Sequence, residues 1–561
     1  MKLHQGKLQY WLIIGFIAAL TLFSVFTVNI RSVAADEFSM YWASEQMPSD
    51  IVKLYFSPKE NNPPGMALLQ HFWGQVFGFG DASLRTLSLV LTLAALALLW
   101  RIVAFFAHGI KTDETLQWRV FAIAASTPLV WMSANIARYQ ALVMLLGLGA
   151  FFAYVLWVRG KARKHLIFYA LCTGVMFYVH YLSAAVFALC AGLHYLVTLI
   201  QKFRKKSPVS RTEVLVWVAS QAAILLVILP IIFTIANAYA NINLGVSTPV
   251  AVQGGKFKAA VMFFAATIIG VMNGFAVAPY TFWLVVPMAF VMLVLAFIAV
   301  QRTDLLNNSI GWMFVVMPLV VMSAVVVRMY PPLTIYLIPS VQRVPFLAPL
   351  TWMFLGFALV RLSNKRLQTS LFLVILCCNV GAIATWNLNI VATQHTPPLT
   401  ELHDFTRTRA RLGAQTDGKI VVAHTIAYRY GMEGVNSTSA TSKNAVERYL
   451  PEIASLYWAE TDIAKEVTLD SCKSLIRSMN AQHWILFQRN RYPVNALHLA
   501  KALREEGYAQ TAEVPAQAQS GFDVWMKTQM TKLPIAGVKD DAAPQPYLYT
   551  FRHFERRQNK P

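Results

Sequence analysis

The sequence predicts an α-helical polytopic membrane protein of about eleven spans followed by a C-terminal α/β domain, on three observations. The 561-residue chain is 57% hydrophobic and only 13% charged, with a mean hydropathy of +0.49. Windows of roughly 20 apolar residues, enough to cross about 30 Å of hydrocarbon, recur as far as residue 388. Beyond about residue 394 the apolar runs shorten and charges of both signs appear. A transmembrane module is therefore expected over 1–393 and a soluble domain over 394–561.

The spans fall near 10–30, 82–106, 119–135, 138–158, 165–181, 182–200, 212–238, 280–300, 310–328, 344–361 and 369–388. The first opens like a secretory signal, with Lys2 and Lys7, an apolar run from Tyr10 and the small pair Ala34-Ala35. A run of roughly 20 residues is too long for a signal core, so it reads as an uncleaved first helix. The apolar stretch 254–275, with Gly270 and Gly274, is expected to be interfacial or re-entrant, because a full crossing there would reverse every later span.

The net charge of +21 arises mostly in the spanning part, where 27 basic residues face ten acidic ones before Thr393. Lys2, Lys7, Lys111, Arg119, the Arg159–Lys164 and Lys202–Arg211 clusters, Arg302, Arg361, Lys365 and Arg366 fall on one side, which the positive-inside rule makes cytoplasmic. The charge is thus a topology signal, and a nucleic-acid partner is excluded. An odd span count puts the N-terminus in the cytoplasm and the C-terminal domain outside an inner (plasma) membrane. On that outer side the basic residues stand singly, among them Arg138 and Arg343. Each either snorkels to headgroups or binds an anion, and their placement favours the anion.

Four of the five cysteines lie in apolar spans and Cys472 stands alone, so no disulfide framework is implied. In the C-terminal region 420–423, 483–488 and 522–526 read as strands, and 445–459, 472–479 and 495–506 as helices. The basic tail 552–560 reads as a solvated end. No internal repeat is visible, which disfavours a transporter built from inverted halves.

Acidic residues concentrate in one place. Six of the ten before Thr393, namely Asp36, Glu37, Glu45, Asp50, Glu60 and Asp81, fall in the first loop, over 31–81. Carboxylates beside a bilayer are expensive to desolvate, so such a cluster marks chemistry or charge binding. Asp36 and Glu37 open a short interfacial helix on which Tyr41 and Trp42 share a face with Glu37, with the acids at the positive end of its dipole. The bland alternative for Asp36 is helix capping. Further on, Pro63-Pro64 can start a helix at its N1 position, leaving backbone N–H groups free for a phosphate. His180, at a span end, is read as an interfacial histidine or a ligand. Trp131, Trp283 and Tyr330 are read as interfacial aromatic belts.

In order, a first span, Asp36-Glu37, Pro63-Pro64 opening an amphipathic helix that ends in Phe77-Gly78, and Leu84-Arg85 leading into the second span resemble the C-type glycosyltransferases. The nearest groups are the protein O-mannosyltransferases and the bacterial lipid A aminoarabinose transferases. Ala137-Arg138-Tyr139, Tyr178-Val179-His180-Tyr181 and Gln342-Arg343 with Pro345 and Pro349 resemble further entries into spans of that family. The matches reach to about residue 390, and one departure is clear: Asn61-Asn62 stands where the aminoarabinose transferases have Glu-Lys.

The resemblance implies an inverting enzyme that takes a sugar from a polyprenyl-phosphate donor and passes it to a glycolipid, polysaccharide or protein acceptor outside the membrane. Asp36 would be the base, with Glu37 orienting the acceptor or a divalent cation. Arg138, Arg343, Lys59 and Asn62 would hold the donor phosphate, and Tyr139, His180 and Tyr181 would contact substrate. Glu60 and His180 are the candidate ligands of a cation. The competing class is a flippase or transporter of a lipid-linked glycan.

Overall fold

The computed structural model describes residues 2–28, 35–56, 63–109, 114–245, 343–387, 420–424, 454–457, 469–489, 494–518 and 547–556, with isolated positions between 270 and 318. Most of the expected spans 280–300 and 310–328, nearly all of 254–275, and the whole of the strand at 522–526, Trp283 and Tyr330 lie outside the described residues. The chain divides into two compact units. One comprises Met1–Ile30, Ala43–Leu244 and Thr248–Val391; the other Arg31–Trp42, Gly245–Ser247 and Ala392–Pro561.

The first unit is helical and multi-pass. In chain order its described helices are α1 (Lys2–Thr27), α3 (Pro48–Tyr55), α4 (Gly65–Phe77), α5 (Asp81–Gly109), α6 (Glu114–Ala125), α7 (Pro128–Ala134), α8 (Gln140–Gly160), α9 (Arg163–Val179), α10 (Tyr181–Arg204), α11 (Arg211–Gly245), α12 (Leu347–Val360) and α13 (Lys365–Asn387). The short α2 (Ala35–Ser44) falls mostly in the other unit. Among the described residues six helices are long and apolar enough to cross a membrane, and α12 is a shorter apolar helix.

Lipid is as apolar as leucine, so burial alone gives these helices no reason to associate, and close backbone approach must do so. Gly147 in α8 shows how: a Cβ there would meet the Phe346 ring at 2.4 Å, so only glycine lets α8 close on the entry to α12. Charge ties the other end. Glu213 at the start of α11 takes Lys161 at 2.7 Å and Lys202 at 3.2 Å, joining the ends of α8, α10 and α11.

The span expected at 119–135 is two helices, α6 and α7, broken at Thr127-Pro128. Proline has no N–H and its ring obstructs the preceding turn, an interruption worth about 3 kcal/mol inside a helix. The chain closes the gap with side chains: Ser126 Oγ donates to Ile123 O at 3.0 Å, Thr127 Oγ1 to Ala124 O at 2.6 Å and Trp131 Nε1 to Ala125 O at 2.8 Å. Freed carbonyls inside a membrane protein need such partners. Trp131, expected in an interfacial belt, is fully buried and occupied in this way.

The C-terminal part of the second unit is a five-stranded mixed sheet with two described helices. β1 (Ile420–His424), β2 (Ala454–Tyr457), β3 (His483–Arg489), β4 (Tyr508–Ala518) and β5 (Tyr547–Arg556) lie in the order β2-β1-β3-β5-β4. β1 pairs in parallel with β2 and β3, and β5 antiparallel with β3 and β4. α14 (Leu469–Met479) and α15 (Val494–Glu505) bury Cys472, Ile476, Leu499 and Leu503 in a core with Trp484, Tyr508 and Phe554.

Two expectations fail here. Residues 454–457 form a strand where a helix over 445–459 was expected, since parallel pairing with β1 outweighs the local helical composition. Arg552, expected in a solvated tail, belongs to β5, an interior strand opposite Leu486 and Glu513.

Candidate active site

Four chain segments meet at one end of the first unit. The start of α4 comes first. Pro64 caps it and Gly65 begins it, one residue later than the N1 proline expected. A Cβ on Gly65 would lie 2.5 Å from the Tyr178 carbonyl oxygen, so the helix start sits directly on the last turn of α9. One turn along, Gln70 Nε2 donates to Ala137 O at 2.8 Å, which fixes the strip between α7 and α8. His71 Nδ1 lies 2.9 Å from Ser44 O, tying α4 to the last residue of α2.

That strip carries Arg138 and Tyr139. The Arg138 guanidinium carbon is 5.1 Å from the centroid of the Tyr139 ring. Tyr139 in turn stacks on His180, with centroids 4.3 Å apart and planes inclined by 19°. Tyr181 lies almost parallel to His180, at 6.0 Å and 7°.

His180 adopts extended backbone between α9 and α10 and caps α10, its Nδ1 accepting the Ser183 amide at 3.2 Å. Ser183 Oγ, 2.6 Å from the same Nδ1, also donates to the backbone carbonyl of Arg343. Both Arg343 and Arg138 are close enough to act on the buried imidazole electrostatically. One guanidinium over the stack and a second arginine held by its carbonyl at the same turn are chemistry for an anion with two or more negative charges.

Of the residues singled out in the sequence, Arg138, Tyr139, His180, Tyr181 and Arg343 come together here. Glu37 is in α2, with only 2% of its surface exposed. Asp36 is in the first turn of α2, past the capping position, and its side chain lies outside the described residues, as do Lys59, Glu60 and Asn62. Among the described residues no three His, Cys, Asp or Glu side chains are grouped to hold a metal ion, and His180 Nδ1 is engaged by Ser183. Sequence reasoning missed Ser183, Gln70 and Gly65. A serine three residues after a histidine at a span start is a readable capping pair, and a glycine straight after Pro-Pro signals close approach.

A helical, multi-pass unit with this arginine-bearing end is a fold already seen in solved structures. Two solved structures of ArnT from Cupriavidus metallidurans share it. The apo form matches with a TM-score of 0.51 at 10% identity, over 88% of this chain and 94% of that one. The form bound to undecaprenyl phosphate matches with a TM-score of 0.51 at 11% identity, over the same shares. No family model and no curated protein sequence matches the chain, so the likeness is one of fold.

Proposed function

We propose that this protein is an inverting glycosyltransferase that takes a sugar from a polyprenyl-phosphate donor and transfers it to a hydroxyl or phosphate of a glycolipid, polysaccharide or protein on the extracytoplasmic face. The observation that carries the reading is Arg138 over the Tyr139 ring that stacks on His180, with Arg343 held through its carbonyl by Ser183 of the same turn, in a fold of which one solved example holds undecaprenyl phosphate.

In the reaction the acceptor oxygen bonds to the anomeric carbon as the bond from that carbon to the phosphate oxygen breaks. A hydroxyl acceptor gives its proton to Asp36, and Glu37 orients the acceptor. The phosphate leaves with an added negative charge, which Arg138 and Arg343 neutralise, with Lys59 and Asn62 as further donors. Tyr139, His180 and Tyr181 form the wall of the phosphate end. Attack opposite the leaving group inverts the anomeric centre.

Purified protein in lipid nanodiscs, given glycosylated undecaprenyl phosphates with envelope glycolipid or periplasmic extract as acceptor, should release undecaprenyl phosphate. A protein that only moves donor between leaflets releases none, and that result would establish the transporter class. Orientation has its own test in the charge asymmetry: alkaline phosphatase fused after Gln394 is expected to be active and the same fusion after Lys206 inactive. The reverse pattern would put the site in the cytoplasm.

A further inference from the structure

Buried polar atoms without partners are rare in folded proteins, because each has given up water and received nothing in exchange. In the first unit several of them belong to residues at the arginine-bearing end: Ser133 Oγ, Asn135 Nδ2, Gln140 Oε1 and both side-chain amide atoms of Asn387 have no hydrogen-bond partner among the described residues. Burial is deep, with 0% of Ser133, 7% of Asn135, 1% of Gln140 and 1% of Asn387 exposed. Ser133, Asn135 and Gln140 flank Arg138 and Tyr139 in a single stretch of chain.

Asn387 arrives from α13, and two bonds set its level. Arg119 Nη1 meets Gln368 Oε1 at 3.2 Å and Asn379 Nδ2 meets Ser126 Oγ at 3.0 Å, so α13 runs beside α6 in the same direction. From Asn379 to Asn387 is roughly 12 Å of helix axis. α13 also packs against α7, the helix that bears Ser133 and leads into Asn135.

None of the four side chains carries charge, and together they offer amide and hydroxyl donors beside carbonyl acceptors. Such a set suits neutral hydroxyl-bearing ligands, whereas the adjoining arginines suit phosphate. We infer that Asn387, Ser133, Asn135 and Gln140 form a sugar-recognition subsite that grips the glycosyl group of the donor. The inference rests on the transferase reading above and adds to it a place for the group transferred. Unfilled hydrogen-bonding capacity away from water selects for hydroxyls strongly, since a ligand without them leaves the amides unpaired.

Protein in nanodiscs titrated with undecaprenyl phosphate, and with the same lipid carrying glucose, mannose or aminoarabinose, provides the test. Native protein should bind at least one glycosylated lipid about tenfold more tightly than the bare lipid. Asn387→Leu should lose that preference, keep its affinity for bare undecaprenyl phosphate, and melt at a higher temperature because an unpartnered amide is gone. Ser133→Ala, a smaller change, should lose part of the preference even if Asn387→Leu fails to fold. Equal binding of bare and glycosylated lipids by native protein overturns the subsite, as does an undiminished preference in both variants. Native protein that binds none of these lipids overturns the transferase reading and the subsite with it, a result distinct from either.

Discussion

Asp36→Asn is expected to fold, enter the membrane and bind donor normally while turning over about 10²–10⁴ times more slowly than the native protein, the usual loss when a general base is removed. Asparagine keeps the size and most of the hydrogen bonding of aspartate but cannot take a proton. Asp36 lies in the first turn of α2, where a carboxylate also helps the helix through its dipole. That contribution is about 0.3–1 kcal/mol, too small to account for a loss of the expected size. Measuring turnover and melting temperature together separates the roles: lost turnover at unchanged melting temperature identifies a base. A stable and fully active Asp36→Asn enzyme would remove it from the mechanism. A phosphate acceptor needs no proton removed, so the same variant tested on phosphate and hydroxyl acceptors also reports which kind is native.

Arg343→Ala is expected to lower kcat by about 10²-fold, on the scale of losing one donor to a developing negative charge, and to raise KM for the donor. Charge on the phosphate grows as the sugar leaves, so kcat should suffer more than KM. The variant should fold, because Ser183 Oγ holds Arg343 through the backbone carbonyl, which alanine retains. Arg343→Lys should recover part of the loss, restoring the charge but not the planar fork of donors. Transfer at the native rate by Arg343→Ala would mean that the side chain only reaches for headgroups.

What the sequence disclosed and what it withheld follow from the range of the forces involved. Long apolar helices such as α5 and α8 were legible because transfer into hydrocarbon depends on composition alone. α2, α4, β1 and β3 were legible from local acids, prolines and runs of apolar residues. The break between α6 and α7 was not, although Pro128 was in view, since hydropathy averages over a proline and the side chains that close the gap declare themselves only in three dimensions. β2 was misread for a related reason: its strand character comes from β1, 30 residues earlier in the chain. At the site, lone arginines against the charge asymmetry pointed to Arg138 and Arg343. Nothing in the sequence announced that Ser183 would bind a carbonyl 160 residues away, or that an unremarkable asparagine ending α13 would be buried with its amide unpartnered.

The closure at Thr127-Pro128 has a consequence for how such a protein can diversify. With the carbonyls of Ile123, Ala124 and Ala125 taken up by neighbouring side chains, the seven residues of α7 need not continue the hydrogen-bond ladder of α6. On the proposed reading the tip faces the donor and is a module in its own right, and the half of the span below it acts as a mounting. Drift in the mounting leaves the tip undisturbed, and a new substrate can be acquired by altering the tip without retuning the rest of the membrane anchor.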